Sequence, residues 1–282
     1  MHGPEILTRF LERPGPPDKF GNTWQYNSRS DRHSKVGCWG IAFDMLTHSA
    51  RLREHAREQK VVLGVNHRMT DFATGRRKDL DLVIARPAAP VPPSGPSFKS
   101  LATQYGIELT PEETTALDQL PDIAVGAVGA VLIALEAKAC MTAHIKALPR
   151  LYDELNSSHL CVHGASRSAL AIGFVQVNAS DSFVSSVTNN FPLTEYPVRY
   201  TKHRQPADTV RVIEKVREIP RRSQSSEVGF DGVGISVLDF RNDGGPVTLV
   251  TGAPAPEPGD PFHYANMVVR MGHEYDTAFG HI

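Results

Sequence analysis

Lys78-Asp79-Leu80-Asp81-Leu82-Val83-Ile84 and Val131-Leu132-Ile133-Ala134-Leu135-Glu136-Ala137-Lys138 are the two stretches whose reading decides the fold. Each is an apolar run that meets charge at one end. In a strand, alternate residues share a face. Asp79 and Asp81 therefore fall together, opposite Leu80, Leu82 and Ile84. Glu136 and Lys138 share a face, opposite Leu135 and Ala137. Charge beside a core is costly unless it is paired or holds a metal. Charged groups converging at two strand ends suit a hard cation. Mg²⁺ takes oxygen ligands, keeps several waters and is held by one or two carboxylates plus substrate phosphates. A lysine beside them orients or deprotonates a water and stabilises charge growing on a phosphate.

Outward from these stretches, residues 36–60 read as an amphipathic helix with a buried first half and Ser34 as a candidate N-cap. Residues 61–65 suit a strand and are followed by a polar loop. The Asp79–Ala85 strand stops at Arg86-Pro87, and Pro87, Pro90, Pro92, Pro93 and Pro96 mark an exposed linker. Thr110-Pro111-Glu112-Glu113 has the N-cap, early proline and acidic first turn of a helix start. Residues 123–135 favour a buried strand, though periodicity alone leaves a buried helix open. Gly126 and Gly129 within them lack the Lys-Ser/Thr of a phosphate loop. Residues 139–155 read as a helix with a kink or break at Pro149, 169–177 as a strand and 183–188 as a candidate strand. Val210, Ile213, Val216 and Ile219 form a stripe on a helix over 206–219, and the Gly/Pro-rich 242–263 reads as irregular.

The 282 residues are 40% hydrophobic and 22% charged, ordinary for a globular protein with a real core. A net charge of −1 excludes a histone-like binder coated in basic charge, but not an enzyme with a local basic groove. That charge is uneven. Residues 51–86 carry nine Lys/Arg against five acids, 199–222 eight against three, and 223–282 two against eight. Two basic segments suit a polyanion groove; solvated helix faces explain them equally well. No apolar run approaches the roughly 18 residues of a membrane span, and the N-terminal twenty residues lack a leader's apolar stretch. The expectation is a cytoplasmic protein without a membrane partner. Cys38, Cys140 and Cys161 are odd in number and far apart, which suits buried thiols rather than disulfides or zinc. The twelve histidines include no HExxH.

Asp81, Glu136 and Lys138, with an apolar strand before each acid and a helix after the lysine, resemble the PD-(D/E)xK phosphodiesterase superfamily of restriction endonucleases, resolvases and repair nucleases. Leu80 stands where the family motif has proline. The resemblance implies an α/β, restriction-endonuclease-like core in the order αβββαβ, a mixed sheet of four to five strands flanked by helices. The expected organisation is an N-terminal arm (1–35), a nuclease core (36–195) and a C-terminal extension (196–282) of helix plus Gly/Pro-rich tail. The implied activity is Mg²⁺-dependent hydrolysis of DNA phosphodiesters, with Mn²⁺ as substitute, by a type II restriction or anti-phage nuclease acting on double-stranded DNA as a homodimer. Two alternatives stand beside it: a catalytically inactive nucleic-acid-binding module of the same fold, and a structure-specific or RNA-directed nuclease.

Residue by residue, the resemblance makes Asp81 and Glu136 the metal ligands, the Ala137 carbonyl a candidate third, and Lys138 the residue that positions water. Asp79 is a candidate second acid or partner of Lys78. Arg76, Arg77 and Lys78 precede the catalytic strand and are candidate phosphate contacts. Thr142 and His144, on the helix after Lys138, are candidate substrate contacts. Arg29, Arg32 and Lys35 lie in a basic loop near Trp24 and Tyr26, read either as a phosphate-gripping arm or as an ordinary capping loop. Asp44 is a candidate accessory acid, against the alternative of a solvent-facing helix residue. Gln176 is a candidate site-lining residue, against that of a hydrogen-bonded edge.

Overall fold

A computed structural model describes residues 1–91, 94–224 and 226–282; Pro92 and Pro93 of the proline-rich linker lie outside the described residues. The chain begins with α1 (Gly3–Leu11), α2 (Arg32–His48), α3 (Ala50–Arg57), β1 (Val62–Thr70) and β2 (Arg77–Pro87). It continues through α4 (Phe98–Tyr105), α5 (Pro111–Gln119), β3 (Val128–Cys140), α6 (His144–Ala165) and β4 (Leu170–Asn178). The last part holds β5 (Ser182–Phe183), β6 (Thr201–Lys202), α7 (Ala207–Arg217), β7 (Gly232–Asp239), β8 (Thr248–Val250) and α8 (Tyr264–Ala278).

One mixed sheet runs in the order β1-β2-β3-β4-β7-β8. β2 is antiparallel to both β1 and β3; β3, β4 and β7 are parallel; β8 is antiparallel to β7. β5 and β6 form a separate two-stranded ribbon. Helices cover both faces, as parallel strands require. One core gathers α1, α2, α4, α5 and α8, and the other gathers α6 and α7.

α2 is apolar nearly all round, with Trp39, Ile41, Phe43, Met45 and Leu46 fully buried. It ends at Ser49, whose hydroxyl accepts from Leu52 N–H at 2.9 Å and opens α3. The single helix expected over 36–60 is therefore two. α5 starts as its sequence foretells, with a reciprocal Thr110–Glu113 capping box. β1 runs on to Thr70, so half of the expected polar loop is strand; its polar residues alternate outward at a sheet edge. α6 continues through Pro149 without breaking.

The expected division into arm, core and extension does not hold. Residues 3–11 form α1, buried on α2, where a Cβ at Gly40 would stand 2.7 Å from the Gly3 Cα. The region 196–282 supplies β7 inside the main sheet, β8 at its edge, and α8 packed on α2 and β7. β7 was missed because GVGISVLD is rich in glycine; those glycines let α8 come close, with Met267 and Met271 against Gly232.

The β2–β3 ladder stops at Leu82–Leu135. Opposite Asp81, Asn66 of β1 takes a left-handed φ of 49°. Leu80 consequently packs beneath α6, whereas Leu82 and Ile84 pack beneath α2. The single face expected for these three residues is broken at Asp81.

Candidate active site

Asp81 immediately precedes and Glu136 immediately follows the terminal β2–β3 pair, Leu82–Leu135, where the two strands part. The Ala137 N–H donates to Asp81 Oδ2 at 2.9 Å, so a side chain takes the place of the next ladder bond. Glu136 is 2% exposed. Lys138 Nζ lies 2.6 Å from Glu136 Oε1 as an ion pair outside hydrogen-bond geometry, and Lys78 Nζ lies 3.5 Å from the same oxygen. Among the described residues the only partners of the Glu136 carboxylate are these two ammoniums on Oε1; no backbone N–H or neutral side chain donates to either oxygen. Lys138 also reaches Glu154 Oε2 on α6 at 3.6 Å, and Glu154 is held by Arg150 at 2.5 Å.

Burial pushes the Asp81 carboxyl up, against the Ala137 N–H bond, which favours the ionised form. Burial likewise pushes Glu136 up, opposed by Lys138 and reinforced by Asp81. Burial works against the Lys138 ammonium, but Glu136 and then Asp81 outweigh it and hold the group above the ordinary lysine value.

Asp81, Lys138 and Glu154 line a cleft of about 440 Å³ together with Ala137, Thr142 and Arg150, and Glu136 is buried behind that lining. The segment 26–34 forms the other wall, with Tyr26, Arg29 and His33. The His33 imidazole is held neutral, down to about 4, by burial and by Lys138. The cleft lies at the carboxyl end of β3, lined by Ala137, Lys138 and Ala139 and by Met141 and Thr142 just after the strand, and open α/β sheets bind ligands at such strand ends.

The donor chemistry fits a hard cation. Glu136 presents two buried oxygens, one held by the Lys138 ammonium and the other without a donor. Among the described residues no three His, Cys, Asp or Glu side chains are grouped to hold a metal. An ion here would rest on Asp81, Glu136 and non-carboxylate oxygens such as the Ala137 carbonyl or water.

Several expected site residues lie elsewhere. Asp79 is exposed and gripped by Arg68 through contacts of 2.6 and 2.9 Å, its cross-strand partner in β1, so it joins neither the metal ligands nor Lys78. His144 is 2% exposed, turned into the core and bonded to the Asn178 carbonyl at 2.7 Å, so it cannot meet substrate. Asp44 is neither accessory acid nor solvent-facing: it is fully buried, and accepts from His2 N–H, Gly3 N–H and Tyr264 Oη–H at 2.8, 2.9 and 2.8 Å. Gln176 is fully buried beside Gly37 of α2, away from the cleft, with both side-chain polar atoms unbonded. Lys35 is paired with Asp31 at 2.6 Å.

Arg76 and Arg77 are exposed at the start of β2, without ion pairs among the described residues. The second basic segment is neutralised only in part: Lys215, Arg217 and Arg222, three of its eight basic residues, pair with Glu218, Asp260 and Asp231. Glu154 escaped the sequence reading. Its signal was the i,i+4 spacing from Arg150 on a helix following the Lys138 strand. All three cysteines are free and buried, and no helix among the described residues is long and apolar enough to cross a membrane. Comparison with protein-family models, curated proteins and solved structures finds no match to this chain.

Proposed function

We propose that this protein is a metal-dependent phosphodiesterase of the PD-(D/E)xK type, with a restriction-endonuclease-like core, that hydrolyses DNA. The observation that carries the reading is the grouping of Asp81, Glu136 and Lys138: Glu136 is a buried carboxylate held only by two lysines and set beside Asp81, and Asp81 and Lys138 line the cleft. The element order α2/α3–β1–β2–β3–α6–β4, with α4 and α5 inserted before β3, supports the fold part of the proposal.

Asp81 and Glu136 would hold Mg²⁺, with the Ala137 carbonyl available beside them. When bound, Mg²⁺ supplies Lewis-acid stabilisation of negative charge on the phosphate. Lys138 orients the attacking water and donates to the phosphate oxygen on which charge accumulates. Glu154, anchored by Arg150, holds Lys138 from the α6 side and would keep it aimed into the cleft with a cation bound. Ala137 N–H fixes one Asp81 oxygen and thereby the carboxylate plane. Arg76 and Arg77 neutralise neighbouring phosphates from the rim.

The test is incubation of plasmid DNA with protein and Mg²⁺, read on a gel. Cutting is expected with Mg²⁺ or Mn²⁺ and not in EDTA, with Asp81→Ala, Glu136→Ala and Lys138→Ala each inactive. Wild-type cutting by Glu136→Ala, or robust cutting in EDTA, would overturn the reading. Discrete bands identify a restriction enzyme, whereas a smear identifies a nonspecific nuclease.

A further inference from the structure

The Tyr26–His33 ring pair, with centroids 4.7 Å apart, separates the candidate active cleft from a second cleft of about 200 Å³. Both clefts are lined by Tyr26, Ser30 and His33. The remaining lining is apolar at Phe10, Pro16 and Trp24 and polar at Asp18, Gln25 and Asn27, and the Asp18 carboxylate is already occupied, accepting from the Phe20 and Asn22 N–H groups and from Trp24 Nε1–H. Arg32 enters this space from the first turn of α2, its guanidinium 4.8 Å from the centre of the Phe10 ring. It is half-buried, and among the described residues no carboxylate or carbonyl accepts from its guanidinium. Arg222 shows what a buried arginine in this protein otherwise has: Asp231 at 2.8 Å and the carbonyls of Arg167 and Ala169. A planar fork of five donors, partly out of water and without an acceptor, is matched to an anion such as phosphate. Gly15 leaves the room for it, since a Cβ there would stand 2.0 Å from Arg32 Nη1.

We propose that this second cleft binds the nucleotide adjacent to the scissile phosphate, Arg32 taking its phosphate and the aromatic and proline walls taking its base. The proposal rests on the nuclease reading and names its substrate class. A base seated behind the Tyr26–His33 partition has left both its stack and its pair. Single-stranded DNA, whose bases are free to stack on protein rings, meets that condition without the cost of unpairing. The protein therefore selects single-stranded or locally unpaired DNA over intact duplex.

The experiment measures binding by fluorescence anisotropy in Ca²⁺, with fluorescein-labelled oligothymidine against a blunt duplex of equal length. Oligothymidine is expected to bind about tenfold or more tighter than duplex. Arg32→Gln removes about tenfold from oligothymidine binding and little from duplex, and Arg32→Lys restores only part, because the planar fork is lost. Gly15→Ala reproduces the Arg32→Gln defect without changing charge. Its Cβ displaces only the end of a flexible side chain, so its melting temperature should match wild type. If Mg²⁺ and Glu136 support plasmid cutting but oligothymidine has no advantage, or Arg32→Gln and Gly15→Ala bind it normally, the subsite is refuted and the nuclease reading stands. If the wild-type protein neither binds nor cuts any DNA, the nuclease reading falls and takes the subsite with it.

Discussion

Asp44 and Glu136 are both carboxylates shut away from solvent, at 0% and 2% exposure, and they are built in opposite ways. Asp44 receives two backbone N–H groups and a tyrosine hydroxyl, all neutral donors, from α1 and α8. Glu136 receives no neutral donor and is held only by the ammoniums of Lys138 and Lys78. A buried charge satisfied on all sides ties elements together. A buried charge held by cations alone contributes little stability, because its desolvation offsets its ion pairs. The first arrangement explains how three helices dock. The second calls for a ligand.

The comparison breaks most sharply at Glu136. Glu136→Gln should reduce DNA cleavage by about 10³-fold or more, with only a modest drop in melting temperature, because Lys78 and Lys138 lose their shared anion but Lys138 keeps Glu154. A drop of many degrees with cleavage intact would make Glu136 a structural residue like Asp44. Next, Asp44→Ala should destabilise by about 3 kcal/mol, since three buried donors lose their acceptor. Denaturant titration measures this, and cleavage per folded molecule should be unchanged well below the midpoint. Arg76→Ala with Arg77→Ala should weaken DNA binding several-fold and flatten the salt dependence by roughly one or two units in the log–log slope, with no effect on folding. An unchanged slope would move the phosphate track to Arg29 and the 26–34 wall. The smallest change is Tyr264→Phe, which removes one of Asp44's three donors and should cost about 1–2 kcal/mol, visible as a modest shift in the same denaturant midpoint.

The site strands were legible because each apolar run ends in charge, and that pattern has few physical explanations. Asp81, Glu136 and Lys138 do meet at one place. The alternation rule failed for Asp79 and Leu80, where the backbone turns at Asn66 and the β2–β3 ladder ends; neither event leaves a mark in strand periodicity. His144 and Asp44 misled because helical spacing says which residues are neighbours along one helix, not which face another chain segment will cover. β7 was hidden by glycines that serve packing against α8, and α8 by following a Gly/Pro-rich stretch. The boundary drawn at 195 followed composition, whereas the sheet closes through hydrogen bonds made more than 50 residues later in the chain than β4.

Ala137 N–H has a consequence of its own. It points to a carboxylate rather than to a neighbouring strand, so its environment follows the state of Asp81. That makes it a built-in spectroscopic sensor. In a nitrogen–proton correlation spectrum the Ala137 peak should move on adding Ca²⁺ and again on adding DNA, while amides deep in the β3–β4 ladder stay still. Occupancy of the cleft could then be followed residue by residue in a protein that is not turning over.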